Sequence, residues 1–267
     1  MKPAFEILFQ DEHLVAIHKP SGFHVHPHEN PDHRISRDRI CLYVLRNQLR
    51  QYVYPIHRLD AGTSGVLLFA KSGEVAGLVS RQFQNNEMNS QHDNEVAGRL
   101  ASDFTIRKTY HAVVRGYVAE EGIIDLPLES DSSDLMLSSQ TKFKKLAQVE
   151  LPFAVGKRHP TARYSLVEVS PLTGRFHQIR RHFNQIFHPI LGDSTHGDSY
   201  HNRFFRQTLG VTGLCLRASS LQFRHPISHE ILTLNADKRP IKANSSTNPI
   251  TEKMENFEDL TRWQKIS

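Results

Sequence analysis

The spacing of apolar residues predicts short strands and amphipathic helices along the chain. An apolar segment over residues 13–19, HLVAIHK, is typical of a strand and ends at a Pro-Ser-Gly turn signal. The uninterrupted apolar run 66–70, VLLFA, predicts a fully buried strand over residues 66–71, and Ser72 behind it is placed to cap a helix. The apolar face of that helix consists of Val75, Leu78, Val79 and Phe83.

The second half of the chain interleaves strands and helices without a regular βαβ rhythm. Strands are predicted over 108–118 and 162–170, and a helix at about 174–187, whereas the polar residues 88–105 predict a surface loop. This order favours an α+β fold with a mixed, mainly antiparallel central sheet flanked by helices and loops.

The domain organisation follows from where the apolar pattern stops. We expect one domain over residues 1–239 and a polar tail over 240–267. The residues of the tail that have the spacing of a short helix are Met254, Phe257, Leu260 and Trp263.

Composition narrows the class of protein. At 267 residues, with 38% hydrophobic residues and apolar runs far shorter than a bilayer span, the chain is expected to be globular, with no contact to membranes. The start lacks the apolar core of a signal peptide, and two cysteines, Cys41 and Cys215, cannot form a disulfide framework. We therefore expect a cytoplasmic protein. A net charge of +5 favours a polyanionic partner only weakly.

Three histidines near the start are a candidate metal site. His24, His26 and His28 alternate, so on an extended strand they would share one face. Pro27 interrupts that strand, and no acid or cysteine at ligand spacing completes a set. A solvated or RNA-facing surface is the favoured interpretation, and no metal is expected.

The segment TGRFHQIRRHF, residues 173–183, is a second candidate. On a helix, an apolar stripe would form, Arg181 would point away from it into solvent, and Arg180 would lie about a quarter-turn from its centre. A guanidinium at that edge is partly buried and needs a partner. Either that partner forms a purely structural salt bridge with Arg180, or it is a carboxylate that Arg180 holds ionised in a functional cleft. The stripe consists of Phe176, Ile179, Phe183 and Ile186.

The segment HRLDAGTSG, residues 57–65, is the third candidate. Asp60 precedes a turn of small residues where the backbone can approach a ligand closely. An Asp that merely caps a turn is an equally good interpretation of the spacing. The neighbouring His57 and Arg58 favour a nucleic acid partner, because they make the loop electropositive and able to stack.

Together these segments resemble the RluA-type pseudouridine synthases. The motifs are HRLDAGTSGVLLFAK, then RKTYHAVVRG, then TGRFHQIRRHF with HPILGDSTHGD downstream, and they cover roughly residues 5–238 in the family's order. Residues 155–183 and 188–203 are most similar to the branch that modifies a uridine in the T-stem of tRNA, at position 65 in tRNA numbering. Ala61 and Gly62 lack a charge often present after the aspartate, which implies altered RNA contacts with intact chemistry.

The resemblance implies roles for individual residues. Asp60 matches the catalytic aspartate, Tyr110 the active-site tyrosine that stacks on the base, and Arg180 the basic residue that pairs with the aspartate. Arg58 matches the arginine that fills the gap left by a flipped base. Further residues of these motifs are predicted to bind RNA: His57, Thr63, Lys108, Arg175, His177, Gln178 and Arg181.

The implied reaction explains a lone carboxylate. Converting uridine to pseudouridine breaks the N1–C1′ bond and rejoins the base through C5, without net redox change or hydrolysis, so neither cofactor nor metal is expected. One ionised Asp60 can act as nucleophile or base, whereas a second acid nearby would raise its pKa. The expected partner is RNA, most simply tRNA, and no obligatory protein partner is evident.

Three other functions remain open. A synthase acting on ribosomal RNA would use the same catalytic residues. A non-catalytic RNA-binding protein would not need Asp60, Tyr110 and Arg180 together. A metal-dependent hydrolase built on the histidines would be sensitive to chelators.

Overall fold

The structure, a computed structural model, describes residues 3–28, 34–89, 106–131, 133–156 and 159–236, with only the backbone for 85–89. Residues 90–105 of the expected polar loop and the whole predicted tail, 240–267, lie outside these ranges. The described elements in chain order are β1 (Ile7–Gln10), β2 (Leu14–Lys19), a 3₁₀ turn (Arg37–Arg39), α1 (Cys41–Leu49), β3 (Tyr54–Pro55), β4 (Ser64–Ala70), α2 (Gly73–Asn89), β5 (Arg107–Arg115), β6 (Glu121–Asp125), β7 (Leu128–Glu129), β8 (Met136–Leu137), β9 (Gln140–Leu151), β10 (Ala162–Pro171), α3 (Gln178–Gln185), α4 (Ser199–Leu209), β11 (Leu216–Arg224) and β12 (Ile231–Asn235).

Strand pairing confirms the α+β prediction. The pairs β1–β2, β2–β4, β3–β4, β11–β12, β5–β10, β10–β9 and β9–β6 are antiparallel, whereas β4 and β11 run parallel. The described chain divides into two compact units. Unit 1 comprises the described residues up to 109 and from 217, and unit 2 comprises the described residues from 110 to 216.

Unit 1 is built around β2 and β4, the two apolar runs that the sequence identified. Both strands are almost entirely buried, because each packs apolar side chains on both faces. Ser72 caps α2 as predicted, its Oγ accepting a hydrogen bond from the N–H of Val75 at 3.2 Å. The helix continues to Asn89, so the predicted loop does not begin at residue 88.

Gly65 is required where β4 meets β11. Its φ is +108°, and a Cβ at this position would lie 2.1 Å from the carbonyl oxygen of Ala218. The two residues are register partners in the parallel pair. The glycine of the TSG segment therefore permits a backbone contact that any side chain would block.

Unit 2 contains the antiparallel strands β5, β10, β9 and β6, paired in that order, the short antiparallel pair β7–β8, and helices α3 and α4. Its core includes Tyr164 and Phe183, both with no exposed surface. Strand β5 ends at Arg115, earlier than the predicted residue 118, because Gly116 adopts a φ of +84°. Strand β9 was not predicted, because lysines interrupt its apolar residues and no clear apolar run marks it as a strand.

Helix α3 begins at Gln178, four residues later than predicted. His177 has a left-handed φ of 51°, which breaks the helix before it. Gln178 also draws the preceding chain into a turn: its Oε1 accepts hydrogen bonds from the N–H of Arg175 at 3.0 Å and from Thr173 Oγ1 at 2.6 Å. Phe176 consequently lies outside the helix and is 40% exposed, although it was assigned to the buried stripe.

We predict that Gly65→Ala destabilises the protein by at least about 3 kcal/mol, because the new Cβ collides with Ala218 and the left-handed φ is strained. Urea unfolding followed by circular dichroism measures this change. Gly77→Ala is the matched control: Gly77 lies within α2 and its added Cβ would meet nothing within 4 Å. That variant should gain roughly 0.5–1 kcal/mol. Equal stability of the two variants would contradict the account of Gly65.

Candidate active site

The Asp60 turn, residues 60–63, connects β3 to β4 in unit 1. The N–H of Thr63 donates to the carbonyl of Asp60 at 3.0 Å, which closes the turn. Asp60 is half-buried, Arg58 is exposed and Thr63 is buried. The turn therefore presents a partly exposed carboxylate beside an exposed arginine.

Lys19, at the end of β2, binds the backbone of this turn through its side chain. The side chain has no exposed surface, and its Nζ donates to the carbonyls of Pro20 at 3.1 Å, Ala61 at 3.0 Å and Thr63 at 2.7 Å. Burial lowers the pKa of Lys19 to about 8, and the Cys41 thiol and the Asp60 carboxylate oppose that shift. Near neutral pH the side-chain amine of Lys19 is thus mainly protonated, and the three carbonyls accept hydrogen bonds from the resulting ammonium.

The two residues after Pro20 also donate hydrogen bonds to the Asp60 turn. Ser21 Oγ donates to the carbonyl of Gly62 at 2.8 Å, and the N–H of Gly22 donates to the carbonyl of Ala61 at 2.8 Å. The carbonyls of residues 61–63 are therefore all bound by the segment 19–22. The Pro-Ser-Gly sequence predicted a turn here, but no local pattern indicated a role for Lys19.

His57 is anchored inside unit 1. Its ring stacks on Phe83, with centroids 5.3 Å apart and planes 16° apart, and its Nε2 accepts a hydrogen bond from the N–H of Leu68 at 3.2 Å. Removal from water lowers the pKa of His57 to about 4, and the charge of Lys108 adds to the shift. The neutral ring that results is the form that can accept the bond from Leu68. Lys108 itself is half-buried.

In unit 2, Arg180 has 8% of its surface exposed and is thus more fully buried than its place on the helix predicted. It forms a two-pronged ion pair with Asp193: Nε lies 2.7 Å from Oδ2, and Nη2 lies 2.8 Å from Oδ1. The predicted pairing of Arg180 with Asp60, which belongs to unit 1, stays a prediction. Asp193, in the segment LGDSTHGD, was not among the residues predicted to be functional.

Asp193 is itself held by its own loop. Its Oδ1 also accepts hydrogen bonds from the N–H groups of Thr195 at 2.9 Å and His196 at 3.0 Å. Burial by itself raises the pKa of Asp193, but the hydrogen bonds from Arg180, His196 and Thr195 outweigh it and hold the pKa below its ordinary value. The carboxylate is therefore ionised and fixes the plane of the guanidinium.

Gly192 allows this loop to form. Its φ is +74°, a Cβ there would lie 1.9 Å from the carbonyl oxygen of Gly213, and its N–H donates to Asn202 Oδ1 at 2.7 Å. Asn202 also donates from Nδ2 to the carbonyl of Asp193 at 2.8 Å. The glycine thus places Asp193 against α3.

The other predicted RNA-binding residues of unit 2 differ in exposure. Gln178 is buried, and its amide nitrogen Nε2 donates to the carbonyl of Gln140 at 2.9 Å and to Thr141 Oγ1 at 3.0 Å. Arg181 is half-buried and donates from Nη1 to the carbonyl of Glu129 at 2.8 Å, so it does not simply point to solvent as predicted.

Arg175 and His177 are also half-buried. Arg175 donates from Nε to the carbonyl of Ser138 at 3.2 Å. The ring of His177 stacks on Phe176, with centroids 3.7 Å apart, and its Nδ1 lies 3.1 Å from Nε2 of His196. Tyr110 is half-buried on β5, is the register partner of Val169 and packs against the unit 2 core.

The described residues contain no group of three or more His, Cys, Asp or Glu side chains arranged to hold a metal ion. Within the same ranges, no helix is long and apolar enough to cross a membrane. The three histidines of the start do not form a metal site among the described residues.

We predict that Lys19 makes the free energy of unfolding rise with pH between about 8 and 10.5. An unfolded lysine has a pKa of about 10.4, so in this window the unfolded chain holds a proton that the folded chain has released. The contribution is about 3 kcal/mol in total. Relative to wild type, Lys19→Met should lose this rise when urea unfolding is measured near pH 7.5 and near pH 10.

Lys144→Met is the control, because Lys144 is an exposed lysine on β9. It should follow the wild-type pH dependence. If the difference between wild type and Lys19→Met were the same at both pH values, the buried position of Lys19 would be wrong.

Comparisons with known proteins agree with these motifs. The family model of the RNA pseudouridylate synthases matches residues 13–185, well over half of the chain. Proteins named tRNA pseudouridine synthase C are 41% identical in Vibrio cholerae, 44% in Yersinia pestis and 44% in Pectobacterium carotovorum, each over 86% of this chain. The aligned regions span 90%, 85% and 58% of those proteins, respectively.

Solved structures share the fold. Human RNA Pseudouridylate Synthase Domain Containing 1 aligns with a TM-score of 0.63 at 22% identity, covering 88% of this chain and 85% of that one. Human RNA Pseudouridylate Synthase Domain Containing 4 aligns with a TM-score of 0.57 at 22% identity, covering 88% of each chain. Motifs, relatives and fold agree, and the chain belongs to the RNA pseudouridylate synthase family.

Proposed function

We propose that this chain is a tRNA pseudouridine synthase that isomerises a uridine of the T-stem, at position 65 in tRNA numbering. The observation that carries the proposal is the similarity, over most of the chain, to relatives named tRNA pseudouridine synthase C. The position within the tRNA rests on the resemblance of residues 155–183 and 188–203 to that branch.

The reaction needs one ionised carboxylate, and we assign that role to Asp60. The N1–C1′ bond of uridine breaks, the base turns, a C5–C1′ bond forms, and the hydrogen of C5 leaves as a proton while N1 gains one. Asp60 acts as nucleophile, at C6 of the base or at C1′ of the ribose, or as base. The hydrogen bonds from Lys19, Ser21 and Gly22 support this assignment, because they fix the backbone that carries the carboxylate.

Arg180 and Tyr110 complete the proposed catalytic set. Arg180 would supply positive charge to the reacting carboxylate, and its ion pair with Asp193 would orient the guanidinium for that task. Tyr110 would stack on the target base. A uridine in a stem must first be flipped out, at a cost of a few kcal/mol. The exposed Arg58 would offset this cost by filling the gap in the stack.

The remaining predicted RNA-binding residues divide by burial. We propose direct RNA contacts for Lys108, Arg175, His177 and Arg181, which retain exposed surface. Thr63 and Gln178 are buried, and His57, although half-buried, is held by its stacking on Phe83. These three would shape the RNA-binding surface from within.

We predict that Asp60→Asn folds and binds RNA as wild type does, while activity falls by several orders of magnitude. An amide is a poor substitute for a carboxylate as nucleophile or base. Tritium release from tRNA labelled at C5 of uridine measures the activity, and ribosomal RNA prepared in the same way tests the alternative substrate. Activity within about tenfold of wild type would overturn the assignment of Asp60. Release from ribosomal RNA alone would overturn the tRNA proposal.

We predict different effects for the two arginines of α3. Arg180→Ala should raise the pKa of the reacting carboxylate and shift the active pH range upward. It should also destabilise the fold by about 3 kcal/mol, because Asp193 is left buried without its partner. Arg181→Ala should weaken tRNA binding and lower the magnitude of the salt slope by about one unit, with little change in turnover on saturating RNA.

Arg180→Lys separates catalysis from folding. It keeps the charge beside Asp193 but loses the planar two-pronged geometry, so turnover should still fall while the fold is largely retained. The assay is a pH–rate profile for each variant, with RNA binding at several salt concentrations. Identical behaviour of the Arg180 and Arg181 variants, or exchanged roles, would contradict the proposed division.

A further inference from the structure

The segment that holds the Asp60 turn also carries a pair of arginines. After Gly22, the N–H of His24 donates to the carbonyl of Arg39 at 2.9 Å, and the N–H of Cys41 donates back to the carbonyl of His24 at 2.7 Å. The 3₁₀ turn Arg37–Arg39 is therefore attached to the same short segment, 19–25, that binds the carbonyls of the Asp60 turn. All of these residues lie within unit 1.

Both arginines are exposed and both are held over aromatic rings. The guanidinium carbon of Arg37 lies 4.4 Å from the ring centroid of Tyr43, and that of Arg39 lies 5.3 Å from the ring centroid of Phe23. Contacts of this kind restrict a long side chain while leaving in-plane N–H groups to bind a ligand. The two guanidiniums thus have a defined placement although they lie at the surface.

The aromatic support is itself fixed. The ring of Phe23 packs edge-on against Phe5, with centroids 5.3 Å apart and planes 79° apart. Phe5 is buried, and its backbone exchanges hydrogen bonds with the side chain of Gln48, at 2.8 Å and 2.9 Å. Arg39 therefore rests on a ring that is anchored to α1.

The surrounding charge is positive. His24 is half-buried, and its pKa is lowered first by burial and then by the positive charges of Lys19, His28 and His26. Among the described residues between 19 and 43, the arginines and lysine outnumber the acids, of which Asp38 is the one present. This set of cations consists of Lys19, Arg34, Arg37 and Arg39. His24, one of the histidines assigned to a solvated or RNA-facing surface, thus lies near cationic groups that disfavour its own protonation.

We propose that the Arg37–Arg39 turn is a phosphate-binding surface that holds the RNA backbone beside the nucleotide presented to Asp60. The inference rests on the proposed function for the identity of the polyanion. Planar guanidiniums bind phosphate oxygens through two N–H groups at once, and their support on rings reduces the entropy lost on binding. The continuous segment from Lys19 to Val25 fixes this surface relative to the catalytic turn.

The test is the salt dependence of tRNA binding by the full chain. The double variant Arg37→Ala/Arg39→Ala should bind about tenfold more weakly at moderate salt, and the magnitude of its salt slope should fall by about one to two units. The Michaelis constant for tRNA should rise in parallel, while turnover on saturating RNA stays within about twofold. The double lysine variant should restore most of the slope, because it keeps both charges.

Arg81→Ala is the matched control, since Arg81 is an exposed arginine on α2. It should leave the salt slope nearly unchanged. The proposal is wrong if the double alanine variant keeps the wild-type slope, or if Arg81→Ala lowers the slope equally. A fall in turnover with unchanged binding would also overturn it, because the turn would then only support the Asp60 segment.

Two further measurements make the result decisive. The binding of tRNA to each single alanine variant is measured at the same salt concentrations. The proposal can then still be contradicted if the double variant does not fold. Wild-type tritium release from tRNA is assayed separately. Absent release with the expected salt slopes would overturn the proposed function but support an RNA-binding surface, whereas normal release with unchanged slopes would overturn this inference alone.

Discussion

The position of the proposed catalytic carboxylate depends on a buried positive charge. Lys19 has no access to water, so its protons must be bound by protein acceptors, and those acceptors include the carbonyls of Ala61 and Thr63. Movement of the Asp60 turn would take away two of the three carbonyls, those of Ala61 and Thr63, that the buried ammonium binds, and would leave it the carbonyl of Pro20. The cost of that state restrains the turn more strongly than its own hydrogen bond between Thr63 and Asp60 would.

In unit 2 a buried charge of the opposite sign likewise fixes a functional side chain. There Asp193 is the buried anion, and Arg180 together with two backbone N–H groups binds both of its oxygens. In each unit a glycine with positive φ permits the contact that brings the backbone into place, Gly65 against Ala218 and Gly192 against Gly213. The residues with a proposed catalytic role are therefore positioned by buried groups that have no proposed catalytic role themselves.

The sequence predicted those features that depend on local pattern. The buried strands β2 and β4 were found from their apolar runs, and the burial of Arg180 from helix geometry. The late start of α3 was missed, because it arises from the left-handed His177 and the hydrogen bonds of Gln178. Lys19 and Asp193 were missed for a similar reason: a charged residue beside a turn looks solvated until the chain folds over it. Family resemblance supplied the role of Asp60, which spacing alone left undecided, and that of Tyr110, which no spacing argument had identified.

The central claim is that this chain converts a uridine of tRNA to pseudouridine through Asp60. The most direct test maps pseudouridine in the tRNA and ribosomal RNA of a strain that lacks the gene, complemented with the wild-type chain or with Asp60→Asn. The account predicts that one pseudouridine in the T-stem of tRNA disappears, returns with the wild-type chain and does not return with the variant. An unchanged tRNA map, or a loss confined to ribosomal RNA, would contradict it.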